Sequence, residues 1–262
     1  MMTARTPRRS SRTPLLPVLV TGLLLTLVPA LPASAVGTAT AATTATAGST
    51  QARTTRRVIH LGGVKVRIRK ATDQVVTVNR RSGYHATVTL WRRTDDGWKR
   101  VMSARDGRIG YGGLAAPRKR VQGTGTTPIG TYRLPFAFGT HAKRKAWHLT
   151  YRRIKGGDYW VQDNRSDYYN RYRNKSQGGF RWWLDSSSPN ASERLADYPV
   201  QYEYAVVIGY NPFQVRHRGA GIFLHVNGDG ATAGCVSAPR WFLRKALARL
   251  RPGKTPLIAI GA

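Results

Sequence analysis

Downstream of residue 57 the residue pattern admits little besides β-structure. Short runs rich in Val, Ile, Tyr and Trp follow one another, separated by Gly, Asp and Asn. Segments 58–68, 74–78, 86–92, 98–103, 130–134, 147–151, 202–208 and 222–226 have the length and alternation of strands. One helix is predicted. Ser237 or Ala238 ahead of Pro239 marks its start, and Phe242, Leu243, Ala246, Leu247 and Leu250 recur at helical spacing on one face. Pro252-Gly253 ends it, and 257–260 reads as a closing strand. The expected class is mainly β with one helix.

Residues 1–35 carry Arg5, Arg8, Arg9 and Arg12, then a leucine-rich stretch, then Ala33-Ser34-Ala35. That order of basic, apolar and small residues reads as a signal peptide, with an uncleaved membrane anchor as the alternative. Arg8-Arg9 lacks the rest of a twin-arginine pattern, so the general secretory route is favoured. Segment 36–57 is mostly Ala, Thr, Gly and Ser and reads as a flexible linker. The folded part is then 58–262, and the expected location is secreted or wall-associated.

The chain has 43 basic and 12 acidic residues, a formal charge of +31. A surface of this kind attracts polyanions whatever its fold. Outside a cell these are wall polymers and acidic lipids. A nucleic-acid partner would need a cytoplasmic location, against which the export signal weighs. Arg118-Lys119-Arg120 and Lys143-Arg144-Lys145 read as solvated faces that hold the protein on an anionic wall.

The chain contains one cysteine, Cys235, with nine residues between it and His225. An exported thiol with no intrachain partner is a candidate nucleophile, and the histidine is a candidate base. Either residue alone reads more blandly, as a small buried hydrophobe or a strand histidine. Their pairing reverses that reading. The predicted turn between a strand carrying His225 and the following helix offers free backbone amides, which favour a thiolate and a developing oxyanion. His60, His85, His141, His148 and His217 share no metal-ligand spacing, which argues against a zinc centre, as the few acids argue against a carboxylate-pair glycosidase. No metal or cofactor is expected. Trp147, Trp160, Trp182, Trp183, Tyr168, Tyr169 and Tyr172 suit a groove for sugar or peptide, with core packing the commoner use of any one of them.

Ile222-Phe223-Leu224-His225 followed by Thr232-Ala233-Gly234-Cys235-Val236 resembles the catalytic signature of the L,D-transpeptidase catalytic-domain family. Thr127-Pro128-Ile129-Gly130-Thr131-Tyr132 with Phe138-Gly139 is similar to that family's Thr-Pro-x-Gly segment, and Gly110-Tyr111-Gly112-Gly113-Leu114 to the glycine-rich segment before it. Asp158-Tyr159-Trp160-Val161, Tyr168-Tyr169-Asn170 and residues 204–211 resemble intermediate blocks of one branch. Three departures stand out: Thr232-Ala233 replaces Ser-His before the Gly-Cys pair, Ser237 stands where an arginine is common, and the His-to-Cys gap is short.

The resemblance implies a β-sandwich-like catalytic domain acting on peptidoglycan. It makes Cys235 the nucleophile that cuts after the L-centre of a diamino acid in a tetrapeptide stem, then passes the acyl group to an amine of a neighbouring stem. His225 is then the general base, with a backbone carbonyl as the expected orienter of its ring. Main-chain N–H groups of Cys235, Gly234 and Ala233 form the expected oxyanion hole, where a side chain on residue 234 would crowd the carbonyl. Tyr210, Asn211 and Thr232 are the expected substrate contacts. The expected partners are peptidoglycan stems and anionic wall polymers, and the expected state is a monomer. Two other readings stay open: an L,D-carboxypeptidase or hydrolase that uses water with the same cysteine, and a non-catalytic basic wall-binding module.

Overall fold

Gly62 and Gly63 both adopt positive φ, 56° and 83°. Two such residues in sequence make the tight turn that matches strand twist. Segment 58–68, expected as one run, is therefore a hairpin of β1 (Arg57–Leu61) and β2 (Val64–Ile68). The computed structural model describes residues 56–262; the expected signal peptide and nearly all of the linker lie outside them.

The next strands, β3 (Gln74–Ser82), β4 (His85–Thr94) and β5 (Gly97–Arg108), form an antiparallel meander. Two short strands, β6 (Leu114–Ala115) and β7 (Thr127–Pro128), pair in parallel. Then come β8 (Gly130–Arg133), β9 (Ala137–Gly139) and β10 (Tyr151–Arg153). A small separate sheet holds β11 (Asp158–Trp160) between β12 (Tyr172–Asn174) and β13 (Glu193–Arg194). The chain finishes with β14 (Ala205–Val207), β15 (Phe223–Val226), β16 (Val236–Ala238), helix α1 (Arg240–Leu247) and β17 (Leu257–Gly261).

Ten strands make the main sheet in the order β10-β9-β14-β15-β16-β5-β4-β3-β17-β8. The pairs β9–β10, β15–β16 and β3–β17 are parallel. Chain leaving edge strand β8 crosses back to the other half, where Gly209 and Val207 donate to the carbonyls of Arg133 and Phe136, both at 2.9 Å. The sheet therefore curls, and its two halves share one interior. Val76, Val88, Leu90 and Ile258 from one half pack in the same core as Val206, Leu224 and Val226 from the other. Helix α1 adds Phe242, Leu243, Ala246 and Leu247 to it, on the face the periodicity predicts. Each fully buried Phe or Leu side chain among them contributes about 1.5–3 kcal/mol. The mainly β class, with one α-helix among the described residues following the cysteine, is the class this chain adopts.

Three further sequence expectations need correction. Of 147–151 only Tyr151 is in a strand; Trp147 and Leu149 are buried in turns, so their hydrophobicity reports packing rather than pairing. In 202–208 a 3-10 turn at Gln201–Glu203 precedes β14. The helix does not follow the cysteine directly, because β16 intervenes and α1 begins only at Arg240.

Candidate active site

Successive residues of a strand face opposite sides, so Phe223 and His225 share one face of β15 while Leu224 and Val226 share the other. In the parallel pairing Leu224 lies opposite Val236, which sets Cys235 beside Phe223 on the first face. Leu224, Val226, Val236 and Ala238 enter the main core. Phe223 and Cys235 instead join a second cluster with Phe138, Trp160, Tyr169 and Tyr202. His225 and Cys235 thus rise from adjacent strands onto one face, and both line a cavity of about 560 Å³.

His225 is 6% exposed, and its Nδ1 lies 2.7 Å from the carbonyl oxygen of Val226. A carbonyl only accepts, so Nδ1 carries the proton and Nε2 is left as the basic nitrogen. The orienter is a backbone carbonyl, as the lack of a nearby acid in sequence suggested. Burial pushes the His225 pKa down to about 4, against the milder opposite effect of the Val226 carbonyl.

The Cys235 sulfur accepts from the Phe223 amide and donates to the Gly221 carbonyl, both at 3.3 Å. Burial first, then the Glu193 carboxylate, push its pKa up to about 12, only partly offset by the Phe223 amide and Arg120. The expectation that a helix start would favour the thiolate is therefore corrected. Helix α1 starts beyond β16, and the resting residue is a neutral thiol that shares its cavity with a neutral imidazole.

The turn before the cysteine is clamped from two sides. Thr232 Oγ1 donates to the Cys235 carbonyl at 2.6 Å and accepts from the Gly234 amide at 3.2 Å. Thr127 Oγ1 donates to the Gly234 carbonyl at 2.9 Å and accepts from the Gly110 amide at 2.8 Å. The Thr-Pro-x-Gly and Gly-Tyr-Gly segments are thus the backing of the cysteine turn. Gly234 has φ 125°, and a Cβ there would stand 2.9 Å from both Arg120 Nη2 and the Thr126 carbonyl. The need for glycine comes from its positive φ and from this backing, which corrects the expectation that it comes from crowding of the substrate carbonyl. Ala233 is exposed at the cavity wall, which Thr232 also lines.

Tyr210 and Asn211 lie elsewhere. The Tyr210 hydroxyl is 3.0 Å from the Arg218 carbonyl and 3.1 Å from that of Pro117. The Asn211 amide donates to the carbonyls of Val215 and Gly219 at 2.9 and 3.0 Å. Both are buried, both brace the loop ahead of β15, and neither lines the cavity that holds Cys235.

Four residues that the sequence does not place at the site shape it. Glu193 lines the cavity, with Tyr202 Oη donating to its Oε1 and Gln162 Nε2 to its Oε2 at 3.0 Å. The Tyr202 ring meets His225 edge-on with centroids 5.6 Å apart. Arg120, expected on a solvated face, is 5% exposed and threads behind the cysteine turn, its Nε donating to the Thr126 carbonyl at 2.7 Å and Nη1 to that of Arg218 at 3.1 Å. The signal for Glu193 was the scarcity of acids; the context of Arg120 gave none. Among the aromatics, Trp147, Trp160 and Tyr169 are core residues, whereas Trp182 is half-exposed at the cavity wall. Among the described residues no group of three or more His, Cys, Asp or Glu is placed to hold a metal, and no helix is long and apolar enough to cross a membrane.

No protein-family model and no curated protein matches this chain. Two solved structures are similar to it. Bd1075 of Bdellovibrio bacteriovorus is 14% identical with a TM-score of 0.37, over 72% of this chain and 48% of its own. An L,D-transpeptidase from Mycobacterium smegmatis is 12% identical with a TM-score of 0.32, over 80% of this chain and 68% of its own. The chain spans about half the length of Bd1075. At these TM-scores the likeness does not bear on the chemistry of the site, which rests on the geometry above.

Proposed function

We propose that this chain is an exported cysteine acyltransferase of the L,D-transpeptidase type, acting on peptidoglycan stem peptides through a thioester at Cys235. The observation that carries the reading is that Cys235 and His225 share one face and one cavity, with His225 Nε2 left free by the Nδ1 bond to Val226. The ordered motifs backing the cysteine turn support the substrate class.

A preformed thiolate-imidazolium pair is disfavoured in so buried a site, so proton transfer accompanies attack. Attack requires the thiol to give up its bond to the Gly221 carbonyl and present its proton to Nε2. As sulfur bonds to the scissile carbonyl carbon, Nε2 takes that proton. It returns the proton to the leaving amine when the C–N bond breaks. An incoming amine then displaces the sulfur, and its proton restores the thiol by the same route. Of the three amides expected to form the oxyanion hole, that of Gly234 is already bonded to Thr232 Oγ1 at 3.2 Å, which corrects its role and leaves those of Ala233 and Cys235 for the developing oxyanion. The basic surface is suited to retention on anionic wall polymers.

The test is turnover of defined tetrapeptide stems by wild type and Cys235→Ala, with and without an amine acceptor, products read by mass. Cysteine-dependent release of the terminal residue, with crosslinked product when the amine is present, is expected. Release without crosslinking assigns water as the acceptor, and no cysteine-dependent release removes the reading.

A further inference from the structure

Glu193 is a carboxylate lining the cavity that holds the thiol, in a chain with 43 basic residues, yet among the described residues no basic side chain pairs with it. The eight ion pairs among the described residues use other acids throughout. Its two donors, Tyr202 and Gln162, are neutral. A carboxylate has about four acceptor directions, so two donors leave the other half of its capacity unused.

The carboxylate also reaches the backbone segment to which the thiol is bonded. Its Oε2 is 3.5 Å from where a Cβ on Gly221 would stand, and the Gly221 carbonyl is the acceptor of the Cys235 thiol. Tyr202, which holds Oε1, is the residue whose ring meets His225. The rest of the cavity keeps the same sign. Asp197 and Asp229 line it, and its one cationic side chain, Arg194, is bonded to Asp197 at 3.0 Å. A strongly positive protein has therefore given the cavity that holds its thiol a mainly acidic charged lining, while Arg120, whose charge reaches the thiol, lies behind the cysteine turn and outside that lining.

We propose that Glu193, held by Tyr202 and Gln162, receives a primary ammonium group of the substrate next to Cys235. This rests on the acyl-transfer reading and adds the feature of the substrate that the cavity selects. The amine belongs either to the stem that donates the acyl group or to the acceptor, and the chemistry of recognition is the same. Burial pushes the Glu193 pKa up to about 7, and a bound ammonium restores the ionised carboxylate. The same cation cancels the negative field that opposes thiolate formation at Cys235. Substrate binding and activation of the nucleophile are then linked.

The experiment measures binding on the Cys235→Ala chain, which removes turnover. One arm compares a tetrapeptide stem whose side-chain amine is free with the same stem N-acetylated. The other compares Nα-acetyl-lysine amide with its Nζ-acetylated counterpart while the acetylated stem is bound. The free amine is expected to bind at least about 10-fold more tightly in one arm, and Glu193→Gln to reduce the ratio to within about 2-fold. Dependence in the first arm assigns the donor's amine, and in the second the acceptor's.

Ratios within about 2-fold in both arms, absence of binding by either probe, or a ratio that Glu193→Gln leaves unchanged would overturn the proposal. If Glu193→Gln does not fold, Glu193→Asp, which withdraws the charge by one methylene, replaces it with the same expected loss and the same contradicting result. Amine selection without cysteine-dependent turnover in wild type keeps this inference and removes the acyl-transfer reading. Turnover without amine selection does the reverse.

Discussion

The Nδ1–H of His225 donates to the backbone carbonyl of Val226 across 2.7 Å, and this one bond decides which ring nitrogen can act as a base. Burial holds the ring neutral, with a pKa of about 4 against 6.5 in the unfolded chain. The unfolded state therefore binds more protons between those values. The stabilisation from keeping this ring neutral is fully present above pH 6.5 and is lost as pH falls to about 4, an effect on the order of 3 kcal/mol. Glu193 acts in the opposite sense. Its pKa rises from 4.5 to about 7, so its contribution is fully present below pH 4.5 and is lost as pH rises through 7. Glu193→Gln removes the opposing limb, and urea unfolding should show stability falling more steeply between pH 6.5 and 4.5 than in wild type. An unchanged slope contradicts the assignment of these two groups.

The neutral, buried thiol has a chemical signature. Cys235 is 8% exposed, with its pKa pushed up to about 12. Alkylation by iodoacetamide at pH 7 should be at least about 10-fold slower than that of free cysteine, because the thiolate is the attacking species. Stopped-time mass spectrometry gives the rate. Alkylation as fast as the free amino acid would mean a preformed thiolate and would refute the coupled proton transfer.

Arg120 ties two backbone carbonyls behind the cysteine turn, and its guanidinium passes close to Gly219 and Gly234. Arg120→Lys keeps the charge and loses the planar fork, so it is not a conservative change. It should cost about 1.5–3 kcal/mol in urea unfolding, in the range of a hydrogen bond to a charged group. A cost within experimental error places the guanidinium outside the support of the turn.

Thr127 links the Thr-Pro-x-Gly segment to the cysteine turn through a single hydroxyl. Thr127→Val keeps the shape of the side chain but leaves the Gly110 amide and the Gly234 carbonyl without this partner. A loss of about 1–3 kcal/mol is expected for unpaired buried groups. Slower acylation of Cys235 at a pH where the variant is fully folded is expected with it. Unaltered acylation would mean that the motif does not position the cysteine.

How far the chain could be read in advance follows from the range over which each signal acts. Strand alternation and the helical face of Phe242, Leu243, Ala246 and Leu247 are local, and they were legible. The hairpin at Gly62-Gly63 is not legible in the same way, because two glycines inside an apolar run leave the pattern of a single strand. Trp147 and Leu149 misled for a related reason: burial in a turn leaves the same composition as burial in a sheet. At the candidate site, Cys235 and His225 are legible by residue type and motif. Glu193, Gln162 and Tyr202 reach the cavity from segments far from either in sequence, and only the folding of β11, β13 and the turn at Gln201–Glu203 brings them in. Arg120 was hidden in a basic run whose neighbours Arg118 and Lys119 are not buried.

The central claim is an acyl group carried on Cys235 sulfur, and the most direct measurement is intact-mass spectrometry after brief exposure to a tetrapeptide stem and acid quench. Wild type should gain the mass of the stem less its terminal residue, on the peptide containing Cys235, and Cys235→Ala should gain nothing. A wild-type chain that never carries the adduct while turning the stem over, or an equal adduct on Cys235→Ala, would contradict the account.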